Sequence, residues 1–295
     1  MSTRRLQIFI FTSLGILLTG LSVWLVYNAL QPAIRFNGQR AYQDVLAQVS
    51  LGPRTPGSVA HAQTIAYIQQ ELEKVGWKVQ IQATEWQGFP IQNIIAYPSE
   101  VTPSIIVGAH YDSRLLADQD PGLGRNGPVP GANDGASGVA ILLELARTLP
   151  SDSVPVWLVF FDAEDNGGLY NRQWIMGSRA FVTWLKEKPH AAVIVDMVGD
   201  ADLNIYIERN SDPALTAEIW AQAAALGFGQ FFISTPKYDM IDDHTPFLEA
   251  GIPTVDIIDF DYPYWHTAAD TVDKVSAQSL HTVGETLWAW LESQK

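Results

Sequence analysis

An α/β fold is predicted, built as a three-layer α/β/α sandwich around a mainly parallel, mixed central sheet, and three observations point to it. Short apolar runs with little polar alternation recur at residues 103–109, 154–161, 191–195 and 253–258. Strands covered on both faces have that pattern, because neither side meets water. Stretches of helical periodicity fall between these runs, the order that yields a parallel sheet with helices on its faces. Polar residues able to carry chemistry collect where the apolar runs stop, at His110, Glu164–Asp165, Asp196 and His266. In open parallel sheets the ligand crevice lies beyond the carboxyl ends of the strands.

In chain order, residues 6–30 hold no charged side chain and follow Arg4–Arg5. About 20 apolar residues span a bilayer, and a cleaved signal peptide has a shorter apolar core of roughly 7–15. The expectation is therefore an uncleaved single-pass anchor within residues 1–35. The positive-inside tendency leaves its tip in the cytoplasm and the domain of residues 36–295 outside. Residues 37–51 read as a short helix, and Gly52-Pro-Arg-Thr-Pro-Gly-Ser58 as a turn cluster. Ile65, Ile68, Leu72 and Val75 recur at helical spacing up to Gly76. Strands are expected at 78–84, 91–97 and 103–109, and an amphipathic helix from Val139. After the strands at 154–161 and 191–195 come a helix at 212–226, the strand at 253–258 and a closing helix at 274–292.

Bulk properties exclude several functions. The formal net charge is −14, and the first 35 residues contain only basic charges, so the remainder is more acidic still. Nucleic-acid binding wants a basic face and is not expected. There is no Cys, which removes thiolate metal sites, disulfides and a Cys nucleophile.

The organising stretch runs from Gly108 to Gly138: G-A-H-Y-D-S, a Pro/Gly/Asp-rich loop, then G-A-N-D-G-A-S-G. His110 and Asp112 stand at a strand end and Asp134 at a helix start, offering nitrogen and carboxylate donors suited to zinc. His110, Asp134, Asp165, Asp196 and His266 form the candidate ligand set, able to hold one zinc ion or two if a carboxylate bridges. Asp134 is the natural bridge, since a helix amino terminus favours negative charge. Glu164, directly before a ligand, is well placed to carry a proton, and Asp112 to orient His110 or another ligand. His61, His190 and His281 have no such context and read as ordinary surface or helix residues.

These segments, with F-F-D-A-E-D, I-V-D-M-V-G-D, D-D-H-T-P-F-L and W-H-T-A-A-D-T, resemble the zinc exopeptidases of metallopeptidase family 28, a family that includes the animal-type glutaminyl cyclases. The resemblance covers about residues 40–293. It implies the same five metal ligands, Glu164 as general acid/base, Asp112 as the orienting carboxylate, and a cis peptide at Asp134–Gly135. It also implies a substrate that is a peptide or protein amino terminus. Asp242, in D-D-H-T-P-F, matches an acid that cyclases use near the reacting amide, and Trp265 resembles the indole walling the cyclase pocket. His244 and Asp256 are expected at the same pocket, Asp256 where animal cyclases carry a histidine. The expectation is a glutaminyl-peptide cyclotransferase, with a zinc aminopeptidase as the alternative and a non-catalytic ectodomain of the same fold as a third reading. Asp165 departs from the glutamate common at its position.

Overall fold

Alternate side chains along each central strand feed two different cores. In the computed structural model, which describes residues 35–121 and 123–295, Val107, Leu158 and Val193 face one core, while Ile106, Val159 and Ile194 face the other. The residues between them reverse sides because successive strand side chains point to opposite faces. Unalternated apolar runs are thus the direct consequence of a sheet with no wet face.

The elements are α1 (Gly38–Ser50), α2 (Val59–Lys74), β1 (Lys78–Trp86), β2 (Phe89–Tyr97), β3 (Ile105–His110), α3 (Ala136–Thr148), β4 (Val156–Phe161), α4 (Met176–Trp184), β5 (Ala191–Asp196), β6 (Ile205–Glu208), α5 (Pro213–Ala225), β7 (Phe232–Tyr238), α6 (Thr245–Glu249), β8 (Thr254–Ile258) and α7 (Ala277–Ser293). The central sheet has the order β1-β2-β4-β3-β5-β8. β4, β3, β5 and β8 run parallel, and β1 and β2 join antiparallel at one edge. β6 and β7 form a separate two-stranded parallel sheet.

Helices α1, α2, α3, α5 and α7 contribute to the larger core, with Val45, Leu72, Leu142, Ile219 and Leu287 buried there. α4 and α6 cover the opposite face through Phe181 and Phe247, which pack on Phe161 of β4. Local signals fix several helix starts. Asn37, Ser58, Asp212 and Ser276 each accept a backbone N–H of the helix they precede, satisfying donors that have no partner within the helix. The final helix begins at Ala277, later than the periodicity implied, because residues 272–274 form a 3-10 turn.

Two expectations are corrected, one for the Asp134–Gly135 peptide and one for His61. Among the described residues no peptide bond is cis, so Asp134–Gly135 is trans; the turn is made by Gly135, whose φ of 94° a glycine adopts without steric cost. His61 is buried on α2, its Nε2 2.7 Å from Asp162 Oδ1 and its ring stacked on Tyr111; it is a structural histidine behind the strand ends, where its donor nitrogen is satisfied. The span expected at residues 6–30 lies outside the described residues, and among those described no helix is long and apolar enough to cross a membrane.

Candidate metal centre

The four parallel strands deliver the predicted residues to one edge. β3 terminates at His110 and β5 at Asp196. Beyond β4, Ala163 takes a left-handed φ of 53°, turning the chain so that Glu164 and Asp165 come back over the strand ends. His266, in the loop after β8, is also left-handed with φ 54°. Asp134 stands just ahead of α3, where the first-turn N–H groups favour a carboxylate.

All five predicted ligands meet. His110 Nε2 lies 3.1 Å from Asp196 Oδ1 and 3.2 Å from Asp134 Oδ1. His266 Nε2 lies 2.7 Å from Asp165 Oδ1 and 3.6 Å from Asp134 Oδ2. Two triads result, His110–Asp134–Asp196 and Asp134–Asp165–His266, each with its donor atoms within 4.8 Å of one another. Asp134 belongs to both, the arrangement a bridging carboxylate requires.

The donors fit a divalent cation. Asp134 Oδ2 and Asp165 Oδ2 are buried with no hydrogen-bond partner, a cost that buried carboxylates offset by pairing or by ligating metal. Burial, together with the Asp134 charge, raises Asp165 to about 6. Burial, together with Asp242 and Asp134, raises Asp196 to about 7. Burial alone would favour neutral His110, yet Asp196, Asp112 and Asp134 overcome it and push its pKa well up. The field that attracts a proton to His110 is the field that would attract a cation in its place. Two imidazoles and three carboxylates suit zinc, though such donors also serve other first-row ions.

Around the triads stands a layer of fixed partners. Asp112 accepts the backbone N–H of Glu164 at 3.0 Å, that of Asp165 at 3.4 Å and Asn166 Nδ2 at 3.0 Å, and lies 3.5 Å from His110 Nδ1. It therefore orients both a ligand and the turn carrying Glu164. Asp270, not singled out from sequence, accepts the N–H groups of Asn133 at 2.9 Å and Asp134 at 3.2 Å and is donated a bond by Tyr262 Oη at 2.6 Å. Its position four residues after His266 in W-H-T-A-A-D-T is the one local signal for it. Arg54, also missed, is fully buried and donates to the carbonyls of Tyr111, Pro130 and Gly131.

Glu164 has its carboxyl pushed well above the usual carboxylate range by burial, with the charges of Asp242, Asp243 and Asp165 overcoming His110. Asp242, His244 and Asp256 form a third buried group on the same side. Burial, together with the charge of Asp242, pushes Asp256 well above the usual carboxylate range. His244 sits between Glu208 and Asp256 at 3.4 Å from each. His244 and Asp256, expected at the substrate pocket, are fully buried beside Asp242. Trp265 is half-buried and stacks on His266, with ring centroids 3.8 Å apart.

A parallel-sheet domain whose strand ends bring paired His/Asp triads onto a common carboxylate, beside a buried glutamate, defines the class of metal-dependent enzymes that act on acyl groups. Residues 93–291 match the model of Peptidase family M28, and the chain belongs to that family. Among curated relatives it is similar to the glutaminyl-peptide cyclotransferase of Boiga irregularis, 25% identical over 88% of this chain and 82% of that protein. It is also similar to aminopeptidase YwaD of Bacillus subtilis, 30% identical over 67% of this chain and 43% of that protein. Among solved structures, Porphyromonas gingivalis glutaminyl cyclase superposes with a TM-score of 0.83 at 34% identity, covering 88% of this chain and 99% of that one. A leucine aminopeptidase precursor from Bacteroides thetaiotaomicron gives 0.83 at 31%, covering 88% and 98%.

Proposed function

We propose that the protein is a glutaminyl-peptide cyclotransferase that converts an amino-terminal glutamine to pyroglutamate with release of ammonia. The observation that carries this reading is Asp242: it is buried, its Oδ2 has no hydrogen-bond partner, and its charge acts on both Glu164 and Asp196. A second acid beside the proton carrier suits an amide that must be held while its own amine attacks it. The likeness to the solved cyclase and to the curated cyclotransferase supports the same choice.

Zinc held by Asp134, Asp165 and His266, with or without a second ion at His110 and Asp196, would polarise the γ-carbonyl of the glutamine side chain. The α-amine nitrogen forms a bond to the γ-amide carbon and the carbon–nitrogen bond to the leaving group breaks. Glu164 takes the proton from the amine and passes it to the departing nitrogen, which leaves as ammonia. Held within one residue, amine and amide benefit from effective molarities on the order of 10⁵–10⁸ M. Asp112 keeps Glu164 at its station through that residue's own N–H. The Trp265 indole, stacked on His266, supplies a flat apolar wall against the glutamine chain.

An aminopeptidase is the second reading, favoured by the completeness of both triads around Asp134, a geometry suited to paired ions. Glu164 would then deprotonate an attacking water. A Gln-initiated and a Leu-initiated peptide separate the two. The cyclase reading expects ammonia and pyroglutamate from the first; free leucine from the second, with no ammonia, overturns it. We also infer that residues 6–30 anchor the chain in a membrane with residues 36–295 outside the cytoplasm, on the strength of the uncharged stretch behind Arg4–Arg5. Release of the full chain from membranes by carbonate without detergent would contradict the anchor.

A further inference from the structure

We propose that Arg114 and Asp118, on the loop after β3, form a clamp that positions His266 and Asp165 as ligands and so sets the metal affinity of the Asp134–Asp165–His266 triad. The proposal rests on the metal centre described above, and not on the choice between cyclase and peptidase.

His266 comes from a loop and takes a left-handed backbone conformation, so its ring has no strand or helix to hold it. Its Nε2 faces Asp134 and Asp165, and its Nδ1 is buried without a hydrogen-bond partner. A metal-binding imidazole normally donates its other N–H to a carboxylate or carbonyl, which fixes the tautomer and the ring plane. The carboxylate facing His266 Nδ1 is Asp118, with Oδ1 at 3.8 Å, a span that one water or a small ring tilt closes. Asp112 faces His110 Nδ1 in the same way at 3.5 Å. Each histidine ligand thus has its own carboxylate behind it.

Asp118 is itself gripped by Arg114. Nε and Nη2 of the guanidinium each donate to one carboxylate oxygen at 2.7 Å, a bidentate fork that fixes orientation as well as position. The remaining arm, Nη1, donates to the Asp165 backbone carbonyl at 2.8 Å and lies 3.9 Å from Asp165 Oδ1. One buried arginine therefore ties the partner of one ligand to the backbone of another. The face of the guanidinium covers Trp174 at 4.8 Å, and Trp174 lies nearly parallel to the His266 ring, 9° from its plane. Trp265 closes the other side of the imidazole. The backbone N–H of Gln119 donates to the His266 carbonyl at 3.2 Å, so the same loop holds the main chain of the ligand too. Neither Arg114 nor Asp118 belongs to a candidate metal triad among the described residues. The Arg114 guanidinium meets Asp118, Asp165 and Trp174, that is, one ligand and two groups that face the His266 ring.

The test is zinc titration of the metal-stripped protein against a chromophoric chelator, for wild type, Asp118→Ala, Asp118→Asn and Arg114→Ala, with thermal melting of each apo form as a folding check. Asp118→Ala is expected to weaken one class of zinc site ~10–100-fold, the range for removing an outer partner of a metal ligand. Asp118→Asn, which keeps an oxygen acceptor, should recover part of that loss. In a His266→Ala background, where the ring to be positioned is gone, Asp118→Ala should produce no further change at the remaining site. A merely structural role would give the same penalty in both backgrounds. Asp118 is one-third exposed, so this variant decides the matter even if Arg114→Ala fails to fold. Unchanged zinc affinity in Asp118→Ala, or an equal loss in both backgrounds, overturns the clamp alone. A wild-type protein that takes up no zinc overturns the clamp and the metal centre together, and neither peptide assay bears on either result.

Discussion

Replacing Arg54 tests whether the loops under the metal centre are held by donors rather than by packing. Its side chain is fully buried, and its guanidinium donates to Tyr111 O at 3.1 Å, Pro130 O at 2.8 Å and Gly131 O at 2.5 Å, with a longer contact to Asp134 O at 3.4 Å. These carbonyls flank His110, Asp112 and Asp134. A hydrogen bond to a charged group contributes about 1.5–3 kcal/mol, and carbonyls left buried and unpaired add a penalty of their own. Breaking buried charged partners costs about 3–5 kcal/mol as a whole, so Arg54→Ala should lose about 4 kcal/mol. That is a large share of a total stability of roughly 5–15 kcal/mol. Urea unfolding of the metal-stripped protein should show the midpoint fall by about 2 M for a slope near 2 kcal/mol per M. Arg54→Met, which retains most of the volume but none of the donors, should fall nearly as far. A loss under about 1 kcal/mol in both variants, or a loss confined to the alanine form, would refute the donor argument.

Glu208 supplies a pH test away from the triads. Burial opposes its ionisation, but His244 and the N–H groups of Met240 and Asn210 prevail and bring its pKa down to about 2. A depressed folded-state pKa stabilises the fold above the unfolded value and loses that contribution as pH falls toward 2. The stability gap between wild type and Glu208→Gln should therefore be largest above pH 5 and shrink by about 3 kcal/mol toward pH 2; a gap independent of pH in urea titrations would contradict it. Gly135→Ala should strain the turn beside the bridge, since φ is 94° and an added Cβ would stand 2.7 Å from Asp112 O and 3.1 Å from His110 Cε1. Zinc affinity and melting temperature should both drop, with about 1–3 kcal/mol lost to backbone strain alone; an unchanged melting curve would show that the turn has slack.

The central strands and the convergence of the five candidate ligands were legible because both follow from local rules. Doubly covered strands read as unbroken apolar runs, and ligands fall where those runs end. Elements outside that frame were not. α4 follows Ile175, a left-handed residue with no side-chain cap, so no start signal precedes Met176. β7 contains Pro236 and pairs with β6 through shifts of register, which erases a clean strand pattern. α6 is five residues long, too short to show a period. The supporting residues were hidden for another reason. Arg54, Asp270 and the His61–Asp162 pair act through partners far away in the chain, and no local pattern marks such contacts. His244, just before α6, and Asp256, on β8, lie together with Asp242, and their complete burial comes from tertiary packing that no local pattern marks.

The central claim is that Asp134 is shared by two sets of metal donors drawn from separate segments of the chain. The most direct measurement is the zinc content of Asp134→Ala against wild type, with Asp196→Ala as a variant that touches one triad only. Wild type should retain zinc through gel filtration. Asp196→Ala should keep the ion bound by Asp134, Asp165 and His266, and Asp134→Ala should keep almost none. Zinc retained at the wild-type level by Asp134→Ala would mean that the ion is held elsewhere, and the account of this site would be wrong.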